Sequence, residues 1–239
     1  IKKKLRALQS SPERMTKLEE KLFEQKKTIC ELSRKLSEKR KEGARRFCRR
    51  VQEELGSLEM RGTKVDILFK YTEGDPNRSN QYLNADGRVI GETGFDQVSF
   101  LISPNVGEGL KPLIDIASGG ELSRIVLALK AIMADRDDIG TIFFDEVDAG
   151  IGGSVAETVG QKMKEISKYH QVVCITHLPQ IASFGDHHFK ISKETGEGRT
   201  YTTIEPIDGE NRINEIARML GGVNISQKTL DHAKEMLGW

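Results

Sequence analysis

Between Met15 and Leu36, apolar residues recur on a three–four alternation: Met15, Leu18, Leu22, Ile29, Leu32 and Leu36, with Gln25 filling one position of the seam. Held over about three heptads, that spacing predicts a coiled-coil helix. Ser11-Pro12 supplies a start, with Ser at the cap and Pro in the first turn, and no further proline occurs before Met60. A continuous helix over that stretch would be about 75 Å long at roughly 1.5 Å per residue. A stripe only two positions wide per heptad is too narrow for a helix lying on a globular body, so it needs a partner helix. Ile1–Gln9 is too short to provide one. The partner is therefore expected in sequence outside the chain or in another chain. After Leu36 the phase slips: Lys39, Gly43 and Arg46 occupy the seam positions, and Phe47, Val51, Leu55 and Leu58 carry the apolar face. The step of eleven residues from Leu36 to Phe47 reads as a stutter.

Charge singles out the same stretch. The formal net charge is only +1, but residues 1–64 hold 20 Lys and Arg against 10 Asp and Glu, and residues 65–239 hold 17 against 26. A basic arm on an acidic body suggests a polyanion as partner. A solvated, Lys-rich helix face is the alternative. No run of about 18 apolar residues exists to cross a bilayer, and no apolar segment of a signal peptide follows Ile1-Lys2-Lys3-Lys4. The absence of an initiator Met leads us to expect a fragment or a processed chain. Cys30, Cys48 and Cys174 form neither a disulfide framework nor a CxxC metal site, which suits a reducing cytosol and a cytoplasmic location. The sequons at Asn77 and Asn224 then read as chance.

The body begins near Thr63. Lys64–Tyr71 and Gln97–Ile102 read as strands, 74–77 as a turn, and Gly87–Gly94 as a glycine-rich turn between strands. Leu122–Ala134 is apolar nearly all round, which predicts a buried helix. Thr141–Phe144 and Gln171–Thr176 read as buried strands flanking an amphipathic helix, Ser154–Tyr169, opened by a Ser154-x-x-Glu157 capping box. Strand, helix, strand is a βαβ unit and predicts a parallel pair. His188–Ser192 and Arg199–Ile204 flank residues 195–198 as a hairpin. Helices around Glu210–Leu220 and Ser226–Leu237 close the chain.

Three features could carry chemistry. The strand Thr141–Phe144 delivers two adjacent carboxylates, Asp145 and Glu146, at its C-terminal edge, where open α/β sheets bind ligands. An Asp there can hold Mg²⁺ and a neighbouring Glu can polarise water. Ser118-Gly119-Gly120-Glu121 opens the predicted buried helix. Uncovered backbone N–H groups at a helix N-terminus make a phosphate-binding tip, although an ordinary capping box has the same residues. His177 follows the second buried strand and would project from the same sheet edge as Glu146. Asp186-His187-His188 and Cys174-x-x-His177 are weaker metal motifs, better read as a polar turn and as strand packing.

The spacing of the three features resembles the second lobe of an ABC-type ATPase: signature motif, Walker B and switch histidine, with Asp148-Ala149-Gly150 similar to a D-loop. A heptad arm feeding into that lobe resembles the SMC branch. Leu110–Arg124, Phe144–Gly153, Thr176–Ala182 and Arg218–Gly222 together resemble the RecN family of bacterial DNA repair proteins. The resemblance covers most of residues 95–239; residues 1–60 match only in character. One departure matters: no Gly-Lys dipeptide occurs, so the family's Walker A is absent, and Gly87–Gly94 lacks the Lys.

The resemblance implies an α/β fold, the C-terminal lobe of an ABC/SMC-type ATPase head (63–239) with a coiled-coil arm (1–62). It implies ATP and Mg²⁺ as cofactors, and the missing N-terminal head lobe, a second head and sequence-independent DNA double-strand ends as partners, with no membrane. In that reading Ser118, Gly119, Gly120 and Glu121 face the γ-phosphate on the opposite head. Asp145 holds Mg²⁺, Glu146 is the general base, His177 senses the γ-phosphate and Asp148 couples the two sites. The chain alone would be inactive for want of Walker A. A non-enzymatic DNA-binding or scaffold module with a degenerate head is the alternative, and the intact Asp145-Glu146 pair speaks against it. A transporter nucleotide-binding domain is a second alternative, though its helical insert is not a heptad rod of this length.

Overall fold

The basic arm is one unbroken helix, α1 (Ser11–Ser57). The computed structural model describes residues 11–74, 83–105, 107–116, 118–136, 138–196, 199–222 and 224–239. Ile1–Gln9, most of the turn at 74–77 and positions 197–198 of the hairpin tip lie outside the described residues. Among those described, no helix is long and apolar enough to cross a membrane.

Helix α1 carries two stripes. The heptad residues Met15, Leu18, Leu22, Ile29, Leu32 and Leu36 are all exposed. The buried residues are Cys30, Ser33 and Ser37 and, eleven positions on, Cys48, Val51 and Leu55, stepping by threes and fours within each group, with Leu58 just beyond the helix end. The expected stutter is thus a change of face: the stripe through Val51 and Leu55 runs back beside the heptad seam, through small residues. Small side chains let a neighbouring loop approach the helix backbone closely, which is why a polar-looking row is the covered one.

The described residues group into two compact units, which cut across the sequence division at 62/63. Of the described residues, the first comprises 11–49, 65–74 and 83–102. Strand β1 (Lys64–Lys70) hydrogen-bonds to β4 (Gln97–Ser103). Between them, β2 (Asn84–Ala85) and β3 (Arg88–Val89) form a small antiparallel hairpin. Its turn, Asp86-Gly87, has φ of +56° and +71°, the left-handed geometry of a tight hairpin. This segment covers α1. Arg34 donates twice to Asp86 (2.7 and 2.6 Å), Ser37 Oγ donates to Asp96 (2.8 Å), and Arg40 donates to the Thr93 carbonyl (2.7 Å). Cys30, Ile90 and Phe95 pack together beneath them, and Phe47 meets Phe100 edge-on at 6.3 Å.

The second unit comprises Arg50–Lys64 and Ser103–Trp239. After β5 (Lys111–Pro112) come α2 (Gly119–Met133), β6 (Thr141–Phe144), α3 (Gly153–Ile166), β7 (Gln171–Cys174) and the short α4 (Pro179–Ala182). Strands β8 (His188–Gly196) and β9 (Arg199–Ile207) and helices α5 (Gly209–Gly221) and α6 (Gln227–Leu237) follow. The βαβ unit forms as expected: β6 and β7 are parallel, pairing Thr141 with Gln171 through to Phe144 with Cys174.

Several local expectations are corrected. Helix α3 starts at Gly153 with Gly152 as its cap and no side-chain bond, so Ser154-x-x-Glu157 is not a capping box. Ser154 already lies inside the helix, where its carbonyl accepts from Thr158 Oγ1 (3.0 Å). Helix α2 buries one side, through Gly120, Ile125, Leu127 and Ala128, but leaves Leu122 and Met133 exposed. Strand β7 ends at Cys174, two residues early, because Thr176 and His177 turn away to the Asp148 carboxylate.

The chain closes on α5 and α6, which pack through Ile213, Ile216, Ala217 and Ala233. Arg218 grips the buried Glu215 with both Nε and Nη2 (2.6–3.0 Å), and Lys190 of β8 approaches it at 3.2 Å. These cations, Arg218 first, hold the Glu215 carboxyl below its usual range.

Candidate functional site

Strand β6 buries Ile142 and Phe144 and then ends in the exposed pair Asp145 and Glu146. Glu146 sits at φ +55°. A left-handed non-glycine residue costs about 1–3 kcal/mol and is held only where the surroundings fix it. Here the tight turn fixes it: the Ala149 N–H donates to the Glu146 carbonyl (3.1 Å), and Val147 is fully buried.

The N-terminus of α2 lies against this turn. Ser118 caps the helix, accepting from the Glu121 N–H at a long 3.4 Å, and the Leu122 N–H reaches the Ser118 carbonyl at 3.0 Å. Gly119 and Gly120 let the helix tip come close to this turn. A Cβ at Gly119 would fall on the Glu146 carboxylate oxygen, and one at Gly120 would lie 2.8 Å from the Ala149 Cβ and 3.3 Å from the Glu146 carbonyl. Two residues further along α2 tie the helix down. Ser123 Oγ donates to the Asp145 carbonyl (2.7 Å), and Arg124 Nη1 donates to the Ala149 carbonyl (2.8 Å). Burial holds the Arg124 guanidinium below its ordinary value.

The parallel register of β6 and β7 sets Phe144 beside Cys174, so the residues beyond both strands emerge on one edge. There Asp148 Oδ2 accepts from Thr176 Oγ1 (2.6 Å) and the His177 backbone N–H (2.9 Å), and lies 3.0 Å from His177 Nδ1. Asp148 is 4% exposed, whereas the His177 side chain is 73% exposed.

Ser118, Gly119, Gly120, Glu121, Asp145, Glu146, Asp148 and His177 therefore gather around one sheet edge and one helix tip. Sequence reasoning missed Ser123, Arg124 and Thr176, each lying within or beside a recognised motif and each making the bonds that assemble it.

The weaker metal motifs lose their chemistry. Burial, then Asp148 and Asp145, push the Cys174 thiol up to about 12, so it offers no thiolate beside His177. Asp186 is paired with Lys164, which holds its carboxyl below the usual range. Among the described residues no three His, Cys, Asp or Glu side chains converge as a metal cage. Mg²⁺ does not require one: it is typically held by one or two carboxylates with phosphates and water. Asp145, exposed at the strand end beside a helix tip suited to phosphate, fits that donor set.

No family model matches the chain. Among curated relatives, it is 42% identical over 202 residues to DNA repair protein RecN of Bacillus subtilis, covering 84% of this chain and 35% of that one. It is 37% identical over 238 residues to RecN of Halalkalibacterium halodurans (99% and 40%), and 42% identical over 211 residues to RecN of Treponema pallidum (87% and 35%). The chain thus spans between a third and two-fifths of the length of these relatives. Among solved structures, it is similar to an SMC ATPase studied for ATP-driven dimerization and DNA-stimulated activation, at 17% identity and TM-score 0.41, covering 74% of this chain and 92% of that one. It is also similar to the Smc head domain with a coiled coil and joint from Pyrococcus yayanosii, at 18% identity and TM-score 0.44, covering 78% and 29%.

Proposed function

We propose, from the premise that this chain belongs to the RecN family of DNA repair proteins, that it supplies one half of a composite ATP site in a DNA-repair ATPase. The observation that carries the reading is the meeting of three separated motifs. The Asp145-Glu146 pair and His177 share one edge of a parallel pair, and the glycine-rich tip of α2 lies against Glu146.

The roles follow from position. Asp145 would hold Mg²⁺, which supplies charge neutralisation on the transferring phosphate. Glu146 would take the proton of the attacking water. His177 would meet the γ-phosphate, and Asp148 would couple the two sites. The N–H groups at Ser118–Glu121 would bind the γ-phosphate held by the Walker A of a second head, so that ATP joins two heads and hydrolysis parts them.

The rest of the protein is the proposed partner of the sheet as well. Parallel sheets are ordinarily covered on both faces. On the β6–β7 pair, Phe143 is 73% exposed and Val173 and Ile175 are exposed beside it, an uncovered face suited to the N-terminal lobe. The heptad seam of α1 is likewise open to a second helix. Its basic residues, among them Lys39, Lys41, Arg45, Arg49 and Arg50, are solvent-facing and suited to DNA phosphates.

The test is ATP turnover by the protein restored with its N-terminal portion. Glu146→Gln should lower turnover about 10²–10⁴-fold, the usual worth of a general base, while ATP-bound dimers accumulate. Turnover near wild type would remove Glu146 from the role.

A further inference from the structure

His177 stands at the front of a connection that is bonded to itself step by step. After β7, Thr176 Oγ1 accepts from the Leu178 N–H (3.0 Å). The Leu178 carbonyl accepts from the Ile181 and Ala182 N–H groups (both 3.1 Å), and the Pro179 carbonyl from Ser183 (3.0 Å). The Ile181 carbonyl accepts from Phe184 (3.1 Å) and the Ala182 carbonyl from Gly185 (3.3 Å). Residues 176–185, with α4 at their centre, are therefore linked from end to end, and a shift at one end is felt at the other.

Two polar tethers hold this segment to the rest of its unit. At the front, Asp148 accepts from the Thr176 hydroxyl and the His177 N–H. At the rear, Arg212 Nη2 of α5 donates to the Ser183 carbonyl (3.2 Å) and the Gly185 carbonyl (2.6 Å). That nitrogen carries two hydrogens, one for each carbonyl. Arg212 is itself rooted: its N–H donates to the Asp208 carbonyl (3.1 Å), and Ile213 beside it belongs to the α5–α6 core. The other contacts at the rear fix less. The Lys164–Asp186 pair is exposed on both sides, and such surface pairs contribute little. Pro179 and Ile181 are buried and Ala182 packs on the α5–α6 core, but apolar contact has no preferred direction. Hydrogen bonds from a cation do, and they are roughly twice as strong as neutral ones.

We propose that Arg212 is a positioning residue for His177: by holding the Ser183 and Gly185 carbonyls it fixes the rear of the segment whose front presents the histidine. The tether stands on its own bonds, whereas its effect on turnover rests on the reading above that His177 meets the γ-phosphate. The C-terminal helix pair thereby gains a part in the ATP site, although no residue of α5 lies in any of the motifs that form it.

The experiment uses the protein carrying its N-terminal portion. Arg212→Met removes the donors and keeps the aliphatic stem. It should lower kcat for ATP hydrolysis about 10–10²-fold, the scale of a misplaced reacting group, with KM for ATP within about threefold of wild type. Amide hydrogen exchange should quicken in peptides covering 176–187. Arg212→Lys ends one bond short of Nη2 and should show a smaller loss in the same direction. Ala233→Gly, which loosens the α5–α6 core from α6, is the control for stability alone and should leave kcat unchanged at a temperature well below melting. Wild-type kcat in Arg212→Met beside a loss in His177→Gln overturns the proposal, and so does an equal loss of kcat in Ala233→Gly. Should Arg212→Met fail to fold, wild-type kcat and exchange in Arg212→Lys overturn it, since the shorter side chain cannot hold both carbonyls as the guanidinium does. Unchanged kcat in His177→Gln is a different result: it refutes the reading of His177 itself, and with it any effect of Arg212 on turnover.

Discussion

Gly119→Ala separates the chemistry of the site from the stability of the fold. The added Cβ would fall on the Glu146 carboxylate oxygen, well inside the closest approach a real Cβ makes, and ordinary contact begins only at 3.4 Å. The atom in the way is the far end of a flexible side chain, so the carboxylate can retreat, by roughly 1 Å; a displacement of that size at a reacting group can cost about 10²-fold in rate. The fold should barely notice. Gly119 opens α2, its φ is not in the left-handed region, and Ala is the better helix former by up to about 1 kcal/mol. The expected result in the protein restored with its N-terminal portion is turnover lower by about 10²-fold, with a melting temperature equal to wild type or slightly higher.

Gly119 also belongs to the helix tip proposed to face a second head, and the assay must distinguish the two routes. Gln at 146 has nearly the size of Glu, so a Glu146→Gln background keeps the clash but removes the base. If Gly119→Ala acts through Glu146, the double variant should still form the ATP-bound dimers that Glu146→Gln accumulates. Loss of those dimers would place the effect at the head–head contact. Turnover of Gly119→Ala within about twofold of wild type would refute the reasoning outright, because a misplaced base cannot be that well tolerated.

Ser118→Arg should leave ATP binding intact but abolish ATP-driven dimerisation in light scattering, since a bulky cation at the helix tip would meet the opposing head. Gly160→Ala tests packing alone: its Cβ would strike the Phe184 ring and lie 3.1 Å from the Gln180 carbonyl, where α3 packs on α4. The urea midpoint should fall in step with a destabilisation of about 1–3 kcal/mol, the usual range for overpacking; an unchanged midpoint would show that α4 yields freely. On the arm, replacing Arg45, Arg46, Arg49 and Arg50 together with Gln should flatten the log–log salt dependence of duplex DNA binding by up to about 0.9 for each phosphate no longer neutralised. Helicity by circular dichroism should stay the same, and an unchanged slope would place DNA binding elsewhere.

The αβ framework of the second unit was legible in the sequence because short apolar runs, carboxylates and glycines report directly on strand ends and turns. β6, the parallel pairing and the helices α2, α3, α5 and α6 fall where the pattern puts them, within a few residues, whereas the single turn of α4 was not foreseen. What was not legible depended on burial of polar groups. Ser33 and Ser37 are buried on α1 because Asp96 and its loop cover them, whereas Met15 and Leu18 are exposed; a reading by hydrophobicity ranks them the other way round. The Asp86-Gly87 dipeptide was a strong hairpin signal that a focus on the following glycines passed over. Ser123, Arg124 and Thr176 were hidden for a different reason. Their partners are backbone carbonyls or a carboxylate 22 to 28 positions away, and no local period encodes such a bond.

The sequence of the parallel pair asks for more than this chain provides. Thr141–Phe144 and Val172–Ile175 are apolar at almost every position, the pattern of strands covered on both faces, whereas a sheet with one wet face alternates. The structure meets half of that demand: Ile142 and Phe144 are buried on one face, and Phe143, Val173 and Ile175 stand open on the other. A phenylalanine buried in full is worth about 1.5–3 kcal/mol, so covering this face would yield several kcal/mol across three side chains. The helix tip poses the same question in polar terms, because the first-turn N–H groups of α2 gather partial positive charge where an anion is the natural complement. On the proposed reading, the apolar face would be covered by the N-terminal portion of the protein and the helix tip would meet a phosphate.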